Sequence, residues 1–218
     1  LGLAQWTVSK QNPLTARVFV NQLWQEFFGK GIVKTTGDFG MQGNLPSHPE
    51  LLDWLAVDFM EHNWDIKYLV KKILLSATYR QSSKVSERQL RLDPENIYLS
   101  RSSRTRVKAE FIRDIVLGSS GLLNNEIGGP SVKPYQPEGL WEINNTSYKA
   151  DTDDDVYRRS LYVLIKRSVP NPTLGTFDAT SRSYCVARRQ NTNTPLQALV
   201  TLNDPTFVEA AKVMGEKI

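Results

Sequence analysis

Residue types that act as bases, ligands or nucleophiles are few in this chain. Its two histidines are His48 and His62, and its single cysteine is Cys185. A neutral imidazole serves as a base or a metal ligand, and His48 precedes a predicted helix, whose N-terminus disfavours the charged ring. Asp38 and Asp53 are nearby carboxylates in sequence. We therefore treat His48 and Asp38 as candidates, with an ordinary loop hydrogen bond as the simpler interpretation of His48.

A basic stretch surrounds the cysteine. Cys185 is followed by Arg188 and Arg189 and is preceded by Asp178. Basic neighbours favour the reactive thiolate. A lone cysteine without a positioned histidine is, however, more often a small buried residue. The stretch therefore contributes Asp178 and Arg188 as candidate site residues, with a nucleophilic thiol as the less favoured alternative.

Arginines also stand close to tyrosines in the sequence, as at Arg80, Arg158 and Arg182. A guanidinium group binds carboxylate, sulfate or phosphate through two parallel hydrogen bonds. Internal ion pairing is the alternative use of the same group. Arg80 and Arg158 complete the set of candidate site residues, which is Asp38, His48, Arg80, Arg158, Asp178 and Arg188.

The acidic run from Asp151 to Asp155 resembles the beginning of a calcium-binding EF-hand loop. The match then fails, because Val156 stands at the glycine position and Tyr162 at the position of the bidentate glutamate. A solvated acidic loop that neutralises Arg158 and Arg159 is the simpler interpretation. Phosphate-binding, serine-hydrolase, zinc-protease and haem-attachment motifs are also missing from the sequence. We expect no metal and no cofactor in this fragment, and whether it is an enzyme stays open.

Composition narrows the class of protein. The 218 residues are 40% hydrophobic, which is enough for a core, and the formal charge of +4 is mild and without a dense basic tract. We therefore expect no nucleic-acid partner. Charged residues interrupt every long apolar stretch, so we expect no membrane span. The chain begins with Leu1 and shows no intact secretory signal, so we expect it to be part of a longer protein.

Apolar residues recur at helical spacing through most of the chain. A cap residue followed by proline predicts a helix start at four places, Asn12, Asp93, Thr194 and Asp204. Ser47 and Glu50 have the spacing of a capping box at the start of another helix. Ile66 begins a further apolar stripe, while the polar segment 82–92 is expected to be exposed.

A fifth helix is predicted across Arg106 to Ser119. Its apolar side is expected to hold five residues, Val107, Phe111, Ile112, Ile115 and Val116. A stripe of alternating charge is formed by Arg106, Glu110, Arg113 and Asp114. These charges are expected to pair with one another.

Two glycine- and proline-rich regions interrupt the helices, at about 29–48 and 121–155. The segment Ser160 to Lys166 is the best strand candidate, and any sheet must be small. The predicted fold class is mainly α, a multi-helix domain with long Gly/Pro-rich loops and at most a small β element. We expect a single domain, 1–218, with an alternative division into helical subregions 12–120 and 156–218 joined by the irregular segment 121–155.

Several longer motifs are spread over nearly the whole chain, from residue 12 to about residue 210. They are NPLTARVFVNQLW at 12–24, GDFG at 37–40, PSHPELLDWL at 46–55, SATYRQS at 76–82, EFIRD at 110–114, YRRS at 157–160, RR at 188–189 and NTPLQAL at 193–199. Together these motifs resemble one known family, the planctomycete-surface-type domain of unknown function (domain of unknown function fifteen fifty-three).

The resemblance implies a context rather than a reaction. Members are typically the C-terminal part of large exported bacterial proteins, which often carry cytochrome-c-like modules and sometimes a lectin-like insertion. An exported, periplasmic or cell-surface location follows from the resemblance alone, as do upstream domains of the same chain as partners. The resemblance supplies no established catalytic residues.

Three functions are compatible with these observations. The leading hypothesis is a helical module with a structural or binding role at the cell surface. The second is a hydrolase or binding domain for anionic polysaccharide, with the candidate residues around one cleft. The third is a docking partner of a cytochrome-c-like electron-transfer module, in which case its mild positive charge would guide association.

Overall fold

The computed structural model describes residues 1–142 and 146–218. Residues 143–145, part of the predicted irregular segment, lie outside this description. The chain divides into two compact units, unit 1 from Leu1 to Thr105 and unit 2 from Arg106 to Ile218. The segment 121–155 therefore belongs within unit 2. Both units are mainly helical, which confirms the predicted fold class.

Unit 1 contains five helices among its residues. They are α1 (Gly2–Thr7), α2 (Thr15–Phe28), α3 (Pro49–Glu61), α4 (Ile66–Leu75) and α5 (Glu87–Leu92). The α2 helix begins at Thr15 with Leu14 as its N-cap, within two residues of the predicted start, and the Asn12 side chain accepts hydrogen bonds from the N–H groups of Leu14 and Thr15. It ends at Gly29, whose φ of 76° is left-handed and suits a residue without a Cβ.

The core of unit 1 is apolar and follows the predicted helical periodicity. Aromatic rings pack closely in it, with Phe19 stacked on Phe59 at 5.1 Å and Trp24 on Phe28 at 4.1 Å between ring centroids. The buried cluster comprises Val20, Trp24, Phe28, Ile32, Val33, Leu52, Leu55, Phe59, Leu69 and Ile73.

Three local predictions in unit 1 are corrected. The α3 helix forms, but its N-cap is His48 and not Ser47, whose hydroxyl donates to the carbonyl of Ile32 instead of capping the helix. No helix follows Asp93, because its carboxylate accepts the N–H groups of Ile97 and Tyr98 and holds a turn. The exposed segment 82–92 contains the unpredicted α5 helix, opened by a capping box between Ser86 and Gln89.

The described residues of unit 2 include the helices α6 (Ala109–Ser120), α7 (Pro172–Thr176), α8 (Pro195–Asn203) and α9 (Pro205–Gly215) and the short 3₁₀ helices Asp154–Tyr157 and Ser160–Tyr162. Its apolar cluster is smaller than that of unit 1. The buried members are Ala109, Val132, Val163, Leu174, Phe177 and Phe207.

The predicted strand Ser160 to Lys166 does not form a ladder. In the described part of unit 2, pairing is limited to two isolated parallel bridges, one of which joins Val132 to Val163. Pro130 and Pro134 flank Val132 and have no N–H group to donate, so a continuous ladder cannot extend from this bridge. The expectation of at most a small β element is confirmed.

The prediction for the fifth helix is corrected in two respects: the helix begins at Ala109 and not at Arg106, and part of its predicted apolar side is exposed. In α6, Phe111 and Ile115 are each 57% exposed, whereas the Arg113 residue is only 4% exposed. Ile112 and Val116 pack against the core as expected. The charged side faces inward because its side chains bond to groups distant in sequence, an arrangement that the spacing along one helix does not reveal.

Candidate functional site

The three candidates in unit 1 occupy separate local settings. Asp38 closes a turn of the glycine-rich loop, since its Oδ1 accepts the N–H of Gly40 at 2.8 Å. The ring of His48 lies 3.0 Å from the Ser47 hydroxyl through Nδ1. Arg80 is exposed. Within residues 1–105, no hydrogen bond or ion pair joins Asp38, His48 and Arg80 to one another.

A polar cluster that the sequence analysis did not select lies on α3 and α4. The Lys72 ammonium donates to Asp58 Oδ1 at 2.7 Å and to the Tyr68 hydroxyl at 2.9 Å. The same ammonium lies over the ring of Trp54, 4.3 Å from its centroid. His62 stacks on Tyr68 at 3.9 Å between ring centroids. The i, i+4 spacings of Asp58 with His62 and of Tyr68 with Lys72 were the available signal.

This cluster holds a charged lysine and not a reactive amine. Burial alone lowers the pKa of Lys72, but its hydrogen bonds to Asp58 and Tyr68 outweigh this effect and raise the pKa. A protonated ammonium has no lone pair, so it cannot act as a base or nucleophile at neutral pH. The cluster therefore fixes α4 against α3.

In unit 2 Arg158 is a buried residue that links two backbone segments, and we call such an arginine a strut. The residue is 1% exposed. Its guanidinium donates to the backbone carbonyls of Pro130, at 3.0 Å, and Gly128, and lies 4.1 Å from the centroid of the Tyr162 ring. Such a group is closed to a polymeric ligand. It ties the loop before Val132 to the chain that follows the acidic run.

Arg113 is a second strut, which bonds to the backbone of Arg158 itself. It donates to the carbonyls of Arg158, at 2.8 Å, and Val156. Burial lowers the pKa of Arg113, against the opposing charges of Asp114 and Asp204. Even so, a guanidinium group remains charged in proteins. A small cavity beside Arg113 and Asp204 has room for about one water molecule.

Asp178 is the centre of a cluster of hydrogen bonds, here called the polar clamp, that also includes Arg106, Thr192 and Gln197. Its carboxylate accepts the backbone N–H of Thr192 at 2.8 Å, the Thr192 hydroxyl at 2.8 Å and a guanidinium N–H of Arg106. The backbone of Asp178 is left-handed, with φ of 64°, which aspartate tolerates better than most residues. Gln197, which is buried, donates to the carbonyl of Thr192 at 3.2 Å.

Arg188 is exposed, and its neighbour Arg189 makes the internal contact. The Arg189 guanidinium donates to Glu110 Oε2 at 2.7 Å. Burial opposes ionisation of Glu110, but the hydrogen bond from Arg189 and nearby positive charges outweigh it and hold the pKa of Glu110 below its usual value. In the described part of unit 2, no hydrogen bond or ion pair joins Arg158, Asp178 and Arg188 to one another.

The predicted charged stripe, of which Glu110, Arg113 and Asp114 lie on α6 and Arg106 lies before it, is thus used in long-range contacts. Arg106 pairs with Asp178, Glu110 with Arg189, and Asp114 accepts the N–H of Ser160 at 2.7 Å. The expected pairing along the helix is therefore replaced by tertiary pairing. Of the residues that sequence reasoning missed, Arg106 and Glu110 carried a signal in the alternating stripe, and Gln197 one in its position in a matching motif.

Two further features concern metal ligands and membrane-spanning helices. Among residues 1–142 and 146–218, no group of three or more His, Cys, Asp or Glu residues is arranged to hold a metal ion. None of the helices in these two ranges is both long and apolar enough to span a bilayer.

Comparisons with known proteins agree with the motif evidence. A family model described as "PSD1: Protein of unknown function (DUF1553)" matches residues 1–218. Neither the curated proteins nor the solved structures contain a match to the chain. Several of the family-like motifs supply the struts and clamps described above, including EFIRD, YRRS and NTPLQAL. Since the family model covers the whole chain, the protein belongs to the PSD1 family of proteins of unknown function (DUF1553).

Proposed function

We propose that this domain is a non-catalytic structural and binding module of a large exported bacterial protein. In this proposal unit 2 packs on a neighbouring domain of the same protein at the cell surface. The observation that carries the proposal is on α6, where the charged Arg113 is buried while the apolar side chains of Phe111 and Ile115 are left in solvent.

The exposed apolar row combines two residues of α6 with one residue before the helix. Phe111 and Ile115 are four residues apart and lie on adjacent turns of α6, while Val107 lies two residues before the helix begins; all three are exposed. On α8, Leu196, Leu199 and Leu202 are exposed as well. Clustered apolar side chains on a protein surface mark contact sites more often than isolated ones do. A domain–domain contact would remove both rows from water.

The settings of two candidate residues, Arg158 and Asp178, and of Lys72 support the same conclusion. Arg158 is enclosed, Asp178 is occupied by Arg106 and Thr192, and Lys72 is held as a charged ammonium. A general base must be within hydrogen-bond reach of a substrate proton and free to accept it. These three groups instead stabilise the fold, which favours a binding role over a hydrolytic one.

The test is a binding titration between this domain and the separately produced domains that precede it in its parent protein. Replacing both Phe111 and Ile115 by Gln should weaken binding about tenfold or more, because large side chains at the centre of an interface dominate its affinity. The matched control replaces Ile127 and Leu161, two exposed apolar residues of unit 2 outside the α6 row. Equal affinity of the two double variants, or no affinity of the unmodified domain, contradicts the proposal.

A further inference from the structure

A second surface of unit 2 is basic and polar, and it shares no residue with the apolar row of α6. We call residues 179–191 the basic loop. This loop contains Arg182, Arg188 and Arg189 and no acidic residue. Every residue from 181 to 188 is exposed, and Tyr184 at the middle of the run is 74% exposed. A loop of this length without secondary structure is uncommon in a small domain and is often a binding loop.

The two ends of the basic loop are held together. Asp178, directly before the loop, accepts two hydrogen bonds from Thr192, directly after it, both at 2.8 Å. Arg106 donates to the same carboxylate and, at 3.1 Å, to the carbonyl of Phe177. Gln197 fixes Thr192 from the other side. The clamp closes the loop at its base while the middle of the loop stays in solvent.

A second contact ties down one of the three arginines. Arg189 pairs with Glu110 at 2.7 Å and is only partly exposed. Arg182 and Arg188 are exposed and make no hydrogen bond or ion pair with the residues that the structure describes. After the pairing of Arg189 the loop therefore presents two positive charges. Because its base is already ordered, binding would require less loss of conformational freedom than binding by an open segment.

The chemistry of the exposed side chains defines the ligand class. A guanidinium group binds the planar or tetrahedral oxyanions carboxylate and sulfate through paired hydrogen bonds. The hydroxyl groups of Ser181 and Ser183 suit the hydroxyl groups of a sugar, and the exposed ring of Tyr184 offers an apolar face with a polar tip. We propose that the basic loop binds an acidic polysaccharide, with Arg182 and Arg188 on its sulfate or carboxylate groups and Tyr184 against a sugar ring.

Other polymers fit this surface less well. A nucleic acid is bound mainly through many phosphate contacts, whereas the whole chain has a formal charge of only +4 and lacks a dense basic tract. An amphipathic peptide needs an apolar groove, whereas the exposed run 181–188 is predominantly polar. The proposal does not rest on domain packing through α6, since the two surfaces have different residues and different chemistry.

The first test measures binding of the domain to dextran sulfate and to polygalacturonate, with uncharged dextran as the reference. Replacing both Arg182 and Arg188 by Ala should weaken binding to the charged polymer about tenfold, and added salt should weaken binding of the unmodified domain. The control variant replaces Arg88 and Arg91, two exposed arginines on α5. It has the same net charge as the loop variant and should keep nearly the full affinity.

The second test asks whether the bound polymer contacts the basic loop. Cys185 is the only cysteine, it is exposed and it lies within the basic loop. Bound charged polymer should therefore slow alkylation of its thiol several-fold, while uncharged dextran should not. The alkylation rate of the loop variant should not respond to either polymer.

Binding to dextran sulfate alone, to polygalacturonate alone or to both supports the proposal and identifies the oxyanion. Four outcomes overturn it. They are equal binding of uncharged dextran, equal losses in the loop and α5 variants, unchanged alkylation of Cys185 in saturating charged polymer, and tighter binding of a DNA oligonucleotide than of either acidic polysaccharide. The variant with Gln at positions 111 and 115 should bind the polymer normally. Failure of one proposal is therefore distinguishable from failure of the other.

Discussion

The two units of this protein are stabilised by different means. Unit 1 has a cluster of ten buried apolar residues with stacked aromatic rings. Among its described residues, unit 2 has a cluster of six and buries two cations, those of Arg113 and Arg158, whereas unit 1 buries one, that of Arg101; all three bond to backbone carbonyls. A region with long irregular segments leaves many carbonyl groups without helical partners, and a guanidinium group with five N–H donors satisfies several of them at once. Buried arginine thus replaces regular secondary structure as the organiser of unit 2.

The strongest test of unit 1 is removal of a core ring. Phe59 is 2% exposed, stacks on Phe19 and contacts Trp64 edge to face. Phe59→Ala should lower the free energy of unfolding by about 3–5 kcal/mol, through lost burial and the cavity left behind. Urea unfolding measures the change. Val57→Ala, at an exposed position of the same helix, should change it far less, and equal effects would contradict the assigned core.

The matching test of unit 2 is Arg158→Ala. It leaves the carbonyls of Gly128 and Pro130 without their donor and opens a cavity under Tyr162. We expect a loss of about 3 kcal/mol in the free energy of unfolding, since breaking a buried charged contact is expensive. Arg159→Ala is the control, because this neighbouring arginine is exposed. If both variants unfold at the same urea concentration, buried arginine does not organise unit 2.

A smaller effect is expected for Asp178→Asn. Asparagine tolerates the left-handed backbone at this position, so the change removes the charge and retains the shape. The loss should be about 1–2 kcal/mol, since Arg106 loses its ionic partner. Limited proteolysis should cut the basic loop faster in this variant. Asp153→Asn, on the exposed acidic run, should leave the cutting rate unchanged; faster cutting in both would remove Asp178 from the clamp.

The smallest expected effect is on the pH dependence of the free energy of unfolding. The pKa of Glu110 is lowered in the folded protein, so its ionisation stabilises the fold above its ordinary value of about 4.5. This contribution is lost as the pH falls below that value through the folded-state pKa. Glu110→Gln should therefore remove about 1 kcal/mol or less at pH 7, and the difference from the unmodified protein should shrink near pH 3. Glu126→Gln, at an exposed position, should show no such pH dependence; a difference that grows with acid would contradict the assignment.

The contrast between the two units also separates the features that the sequence predicts from those that it does not. In unit 1 the α2, α3 and α4 helices agree with their apolar periodicity, and each begins within two residues of its predicted start. The exception is Asp93, after which the predicted helix does not form. A carboxylate before proline can cap a helix or hold a turn, and the outcome depends on which backbone N–H groups donate to it. The prediction of the mainly helical fold class needed only these local signals.

The candidate residues show the same limit. Sequence reasoning identified Asp178 and Arg158 as notable but not their use, since Arg106, Thr192 and Pro130 are 72, 14 and 28 positions away. It chose Arg188, whereas Arg189 makes the ion pair. One position along the chain reverses which side chain faces inward, and spacing alone cannot resolve adjacent arginines in a loop. Asp38 and His48 remain predictions as functional residues.

The sequence by itself determined the helical class, most helix starts, the family and the scarcity of reactive side chains, because propensity, periodicity and capping act over a few residues. Only the tertiary structure decided which face of α6 is buried, which arginines are struts and which are exposed, and that the basic loop is closed at its base. Each of these outcomes depends on contacts between residues far apart in the chain, where the energy of a buried charge with its partners outweighs the preference of a single helix.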